Sequence, residues 1–172
     1  MLGVKGPRAL GLAGEIADGV LCSVLASPAH VRRVRAAASA GARFTIAAYV
    51  PLLVDDDGAR AREAMRPLLA RYLGVLHGQS ILADAGVGPE RTRPFRDALL
   101  DGEDAGHAVD DALVDTFAIA GTAAECRRRL ERFAEAGLDA PVAVVPRGAD
   151  LEAQIARIGA ELAPAWRAMR CR

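Results

Sequence analysis

Phe44 to Val54, FTIAAYVPLLV, is the longest strand signal in the chain, and the fold turns on how it is read. A strand with one wet face alternates apolar and polar residues, whereas a strand covered on both faces runs almost wholly apolar. This run is of the second kind, which places it in a parallel sheet flanked by helices. Pro51 has no N–H to give a ladder and marks a strand end or an irregularity. Asp55, Asp56 and Asp57 follow and lead into a helix whose apolar residues Ala61, Met65, Leu68, Tyr72 and Leu76 fit a 3.6-residue period. Pro67 lies inside that helix and is expected to kink it.

Upstream, the same strand-then-helix order repeats. Leu2 to Val4 is a short apolar stub, and Gly6-Pro7 opens a helix over Arg8 to Ala17, with Pro suited to the first helical position. Asp18-Gly19 ends it, Val20 to Val24 is a buried-strand candidate, and Ser27-Pro28 caps a helix that Gly41 stops. Downstream, Gly74 to about Val114 is punctuated by glycines and reads as an insertion of two or three short helices. Thr122 and Glu125 have the spacing of a capping box, and the helix they open buries Cys126, Leu130 and Phe133 before Gly137. On its wet face, Arg127 with Glu131 and Glu125 with Arg129 are opposite charges four apart. Pro141 to Pro146 is a last short strand, and a closing helix sets Leu151, Ile155, Ile158 and Leu162 on one face.

About four strands, each followed by helix, make an α/β protein with a parallel sheet and right-handed crossovers. The pattern allows a small open sheet or half of a barrel. At 172 residues the chain can bury a real core, but it falls short of the about 250 residues of a complete eight-stranded α/β barrel. Lys plus Arg is 22 and Asp plus Glu is 22, and aromatics are 4%; neither the charge nor the rings suit a nucleic-acid binder or an anionic-membrane binder. The three cysteines, Cys22, Cys126 and Cys171, form no CxxC and no Cys/His cluster, so neither a disulfide framework nor a zinc site is expected. With no apolar stretch of signal-peptide or membrane-span length, a soluble cytoplasmic protein is expected.

Two places are candidates for chemistry. Val4-Lys5-Gly6-Pro7-Arg8 joins a strand end to a helix start, where backbone N–H groups attract anions and glycine admits a phosphate; an ordinary Gly-Pro turn is the competing reading. Cys22-Ser23 ends a parallel strand, where α/β proteins place functional groups, although Cys is also a common core residue. His30, His77 and His107 lack metal-ligand spacing and read as surface or packing residues. The acid run at Asp55 to Asp57 is explained by capping and the helix dipole rather than by a metal. No GxGxxG, GxSxG or Walker loop is present, and no catalytic residue is assigned.

GPRALGLAGEIADGVL, Gly6 to Leu21, resembles the Gly-Pro-x-x-Leu-x-Leu-Ala-Gly-x-x-Ala-Asp-Gly segment of bacterial luciferase-like oxidoreductases. DTFAIAGTAAECRRRLERFAEAGLDAPVAVVP, Asp115 to Pro146, is similar to the late segment of the same family. The subgroup it resembles is that of the methylenetetrahydromethanopterin-reductase-type, deazaflavin-dependent enzymes. The resemblance implies a partial (β/α)8 TIM barrel, strands five to eight, over a single domain 1–172 that carries a helical insertion at 74–114. It implies coenzyme F420 (a 5-deazaflavin) or FMN at the carboxyl ends of the strands, and hydride transfer or monooxygenation of a small-molecule substrate. Val4, Lys5 and Gly6 match the loop that helps hold the coenzyme phosphate, Ser23 faces coenzyme or substrate, and Gly121-Thr122 matches a turn that is a cap first. The family's first four strands have no counterpart here, so the expected partners are a second copy or a missing N-terminal half-barrel. The competing expectation is a non-catalytic half-barrel that serves as an interaction module.

Overall fold

The computed structural model describes residues 1–3, 6–37 and 44–170, the side chain of Pro7 excepted. β1 (Leu2–Gly3), α1 (Pro7–Ile16), β2 (Gly19–Cys22), α2 (Pro28–Ala37) and β3 (Thr45–Val54) come first. A helical stretch follows: α3 (Gly58–Val75), α4 (Ser80–Ala83), α5 (Pro89–Asp101), a 3₁₀ turn (Gly106–Ala108) and α6 (Asp111–Phe117). β4 (Ile119–Gly121), α7 (Ala123–Glu135), β5 (Ala140–Val144), α8 (Leu151–Arg157), a π-helical turn (Ile158–Leu162) and α9 (Ala163–Arg170) complete the chain. All strand pairings are parallel, and the flanking helices make this part of a (β/α)8 barrel. Among the described residues, no helix is long and apolar enough to cross a membrane.

β3 organises the sheet. Ala47 and Ala48 pair with Leu21 and Cys22 of β2 and also with Ala140 and Pro141 of β5, so β2 and β5 occupy opposite edges of β3. Pro51 does not end the strand; it is the last residue in register with β5, and from Leu52 onward the partner is β4. A residue with no N–H suits the point where one ladder gives way to another. β4 is three residues long and coincides with the Ile-Ala-Gly that precedes the capping box, too short for an alternation or a run to reveal it.

The helix starts follow the capping chemistry expected of them. Asp57 Oδ1 accepts the N–H groups of Ala59 and Arg60 at 2.9 and 3.2 Å, so the acid run does cap α3. Ser27 Oγ accepts the His30 N–H at 3.2 Å, and Thr122 and Glu125 form a complete capping box. α3 continues unbroken past Pro67. It approaches α5 closely at Gly74, where a Cβ would lie 2.6 Å from the Phe95 carbonyl oxygen.

The core lies between the helices and the β3 face that carries Ile46, Ala48, Val50, Leu52 and Val54, all buried. The opposite face is covered at Ala47 and Leu53 but open at Tyr49, 40% exposed, whose register partner Val142 is 37% exposed. The sequence reading also changes on α8 and α7. On α8 the buried residue is Gln154, while Leu151 and Ile155 are 58% and 63% exposed, because the side-chain amide is drawn to the end of β3. On α7 the i,i+4 ion pairs give way to tertiary partners. Glu125 is held by the cap, Arg129 bonds the Ala120 carbonyl and Asp115, and Arg127 Nε donates to the Glu161 carbonyl at 3.2 Å.

Candidate functional site

α1 begins without a side-chain cap. Gly6, its N-cap residue, has φ 84° and ψ 158°, a conformation that glycine alone adopts readily, and Pro7 takes the first helical position. The N–H groups of Arg8 and Ala9 in the first turn have no intrahelical acceptor, because an α-helix leaves its first amides free. A Cβ at Gly6 would meet nothing within 4 Å among the described residues, its chain neighbours aside. Val4 and Lys5, the other residues expected in this loop, lie outside the described residues.

Ser23 follows the carboxyl end of β2 and is half-buried. The chain then turns sharply: Leu25, fully buried, has φ 64°, an uncommon value for a branched residue. Gly6 and Ser23, separated by the whole of α1 and β2, line one pocket of about 20 Å³ together with Leu10, His30, Ser80 and Ile81. That volume holds one water-sized group, such as a single oxygen atom, and excludes a ring.

His30 lines the same pocket and is buried, a packing residue as the sequence leads one to expect. Its Nδ1 lies 2.7 Å from Asp84 Oδ2, and Arg33 pairs with the other oxygen of the same carboxylate. Asp84 is 54 residues away, and only the folded chain brings α4 against α2. The nearest local signal is Ser27-Pro28, which fixes the start of α2 and hence the position of His30.

Cys22, one residue from Ser23, is a core residue, as is Cys126: burial pushes both thiols up to about 11. Neither is a nucleophile at neutral pH; Cys171 lies outside the described residues. Asp55 binds Arg60 through both oxygens, at 2.7 and 3.0 Å, and Asp56 binds Arg157 at 2.7 Å, so the acid run is taken up by capping and ion pairs. Among the described residues, no group of three or more His, Cys, Asp or Glu side chains is placed to hold a metal. Burial would raise the Asp115 carboxyl, but the Arg62 bond at 2.6 Å and the Arg129 charge outweigh it and hold the group below its ordinary range. Gly121 and Thr122 are occupied by the cap, with Thr122 N–H donating to Glu125 Oε2 at 2.8 Å.

A larger cleft, about 670 Å³, lies elsewhere, between α3, α5 and the carboxyl end of β5, and includes Leu68, Tyr72, Phe95 and Val144. It has the size of a small-molecule pocket but not the open helix start that distinguishes the Gly6–Ser23 pocket.

The sequence profile of luciferase-like monooxygenases matches residues 1–140. The 5,10-methylenetetrahydromethanopterin reductase of Methanolobus tindarius is 30% identical over 94% of this chain and 52% of its own length. The enzyme of the same name from Archaeoglobus fulgidus is 29% identical over 95% of this chain and 53% of its own. The solved structure of the coenzyme F420 dependent tetrahydromethanopterin reductase from Methanopyrus kandleri superposes with a TM-score of 0.81 at 28% identity, over 95% of this chain and 50% of that one. The chain thus spans about half the length of the curated relatives it matches.

Proposed function

Because the chain belongs to the luciferase-like monooxygenase family, we propose that it supplies the coenzyme-phosphate side of an oxidoreductase that uses coenzyme F420 or FMN. The observation that carries this reading is the uncapped start of α1 at Gly6, opening on the same small pocket as Ser23. A helix N-terminus with free amides and a positive end favours an anion, and the pocket has room for a phosphoryl oxygen. The residues present therefore fit the phosphate end of such a coenzyme.

In this reading Gly6 keeps the approach to the α1 amides clear, and the Arg8 and Ala9 N–H groups donate to phosphate oxygens. Val4 and Lys5 complete the loop, with Lys5 adding a cation, and the Ser23 hydroxyl donates from the end of β2. When bound, the coenzyme supplies hydride-transfer chemistry toward a small-molecule substrate. Similarity to F420-dependent reductases favours the deazaflavin over FMN, and hydride transfer over oxygenation. The domain is the whole span 1–172, with 74–114 as its helical insertion.

The open sheet face at Tyr49 and Val142 is completed by a second half-barrel, either another copy of this chain or a polypeptide carrying the remaining strands. Exposed apolar side chains flank both outer strands, Met1, Leu2, Leu12 and Ile16 around β1 and α1, and Val142, Leu151 and Ile155 around β5 and α8. Surfaces of this kind mark contact sites or aggregation.

The test is a titration of the purified, folded chain with F420, FMN and riboflavin, followed by ligand fluorescence. Saturable binding of a phosphate-bearing coenzyme, with riboflavin much weaker, supports the reading. A folded sample that binds neither F420 nor FMN overturns it.

A further inference from the structure

We propose that the open sheet face is covered by a second copy of this chain, placed by a two-fold axis along the barrel so that β1 of each copy pairs in parallel with β5 of the other. The inference rests on the reading that a second half-barrel covers Tyr49 and Val142, names that half, and is independent of which coenzyme binds.

The strands β1, β2, β3 and β5 lie side by side in that order, all parallel, with the short β4 beside the end of β3. Among the described residues β1 pairs with β2 alone and β5 with β3 alone, so both outer strands present a free edge. A closed barrel of eight parallel strands has no edges, and two sets of four make one. Rotation about the barrel axis preserves strand direction. A half-turn therefore brings the β1 edge of each copy to the β5 edge of the other, and the same contact is made twice, as a two-fold interface requires. The chain covers 52% and 53% of two of its relatives, so two copies supply about the length of one relative.

The register of the new pairing follows from the sheet. Gly3 is partnered with Leu21, Leu21 with Ala47 and Ala47 with Ala140. In an eight-stranded α/β barrel the register shifts by about eight residues per circuit, hence by about four in a half-turn. A shift of that size sets Gly3 of one copy opposite Val144 or Ala136 of the other. Ala136 caps the end of α7, whereas Val144 is the last residue of β5, so the Val144 register keeps both residues in strands. The helices agree with this closure. α1 packs on α2 and leaves Arg8, Leu12 and Ile16, spaced four apart, exposed. α8, which follows β5, exposes Glu152 in its first turn together with Leu151 and Ile155. The two stripes open on charges of opposite sign and continue in apolar residues, so they complement each other in charge and in hydrophobicity.

Sedimentation and disulfide trapping test the arrangement. Gly3→Cys and Val144→Cys chains are prepared separately, each with Cys171→Ser, and mixed in a glutathione redox buffer; Cys22 and Cys126 are buried. A Cβ at Gly3 meets nothing within 4 Å among the described residues, and urea unfolding of each variant confirms its fold. Paired residues on adjacent strands have Cα atoms about 5 Å apart, within disulfide reach. The native chain should sediment at twice its mass, and the mixture should yield severalfold more covalent dimer than either variant alone. Covalent dimer formed as readily by one variant alone points to antiparallel pairing of like edges and overturns the proposal. So does a native dimer whose folded variants do not cross-link when mixed. A native chain that stays monomeric and binds a hydrophobic dye overturns the second copy and leaves the face to a different half-barrel. A monomer that binds no dye overturns both readings.

Discussion

The side-chain amide of Gln154 completes the hydrogen bonding of the backbone of Val54. Its Oε1 accepts the Val54 N–H at 3.0 Å and its Nε2 donates to the Val54 carbonyl at 2.9 Å, 100 residues away in sequence. One side chain thereby does at the end of β3 what a neighbouring strand would do, and it locks α8 to the sheet.

Gln154→Leu keeps much of the volume but leaves both Val54 groups unpaired beside a fully buried residue. Each unsatisfied group costs about 1–3 kcal/mol, so a loss near 3 kcal/mol is expected. It should appear in urea unfolding as a lower midpoint with an unchanged slope. Gln154→Glu retains the acceptor alone and falls between the two. A Leu variant as stable as the native chain would mean that water replaces the amide.

Cys22 and Cys126 are shielded from reagents in the folded chain. With both thiols pushed up to about 11 by burial, about one in a thousand is thiolate at pH 8. Alkylation mapped by mass spectrometry should modify both only as fast as the protein opens, and promptly in denaturant. The sign for stability is negative toward alkali. The folded thiols keep protons that unfolded ones release near 9, so their stabilisation is complete below pH 9 and declines as pH rises toward 11. Rapid labelling of Cys22 under native conditions would contradict the observed burial.

The large elements were legible in the sequence because their cues are local. FTIAAYVPLLV announced β3 by its unbroken apolar run, and Asp57 and Thr122 announced α3 and α7 by their caps. Tertiary partners were not legible. The helical period put Leu151 and Ile155 on the buried face of α8, but the unpaired backbone of Val54 selected Gln154. The i,i+4 rule offered Glu125 to Arg129, but Asp115 and the Ala120 carbonyl took the arginine. At the candidate site, the places of Gly6 and Ser23 at a helix start and after a strand end were local cues of the same kind. The bond between His30 and Asp84 was not legible, because nothing in a one-dimensional pattern joins those two.

The α7 cap should titrate with Glu125. The Thr122 backbone N–H, then its hydroxyl, both bonded to Oε2, hold the Glu125 carboxyl below its ordinary 4.5. The carboxylate therefore contributes stability that is present above pH 4.5 and is lost as pH falls through the lower folded value. Glu125→Gln should cost about 0.5–1 kcal/mol at pH 7, typical of a cap. Thermal melts at pH 7 and at pH 3 check this, since the gap between variant and native chain narrows in acid. A gap independent of pH would place the effect in packing against Gly58 and Gly121, whose Cβ positions lie 2.6 Å from Oε2.

Tyr49 and Val142 supply the test of the open sheet face. They are register partners on adjacent parallel strands, so their side chains point to the same side, and both remain more than a third exposed. On the other side of β3, Ala48 and Val50 are completely buried, so the exposure belongs to one face of the sheet. Tyr49→Lys places a charge where the side chain already reaches solvent, and the fold should tolerate it within about 0.5 kcal/mol. Burying that charge against a second half-barrel is far less tolerable. In sedimentation, the native chain should associate at micromolar concentrations and bind a hydrophobic dye. Tyr49→Lys should weaken association by at least about tenfold and reduce dye binding, with an unchanged unfolding midpoint. A native chain that sediments as a monomer and binds no dye would show that the Tyr49 face is stable in water without a partner.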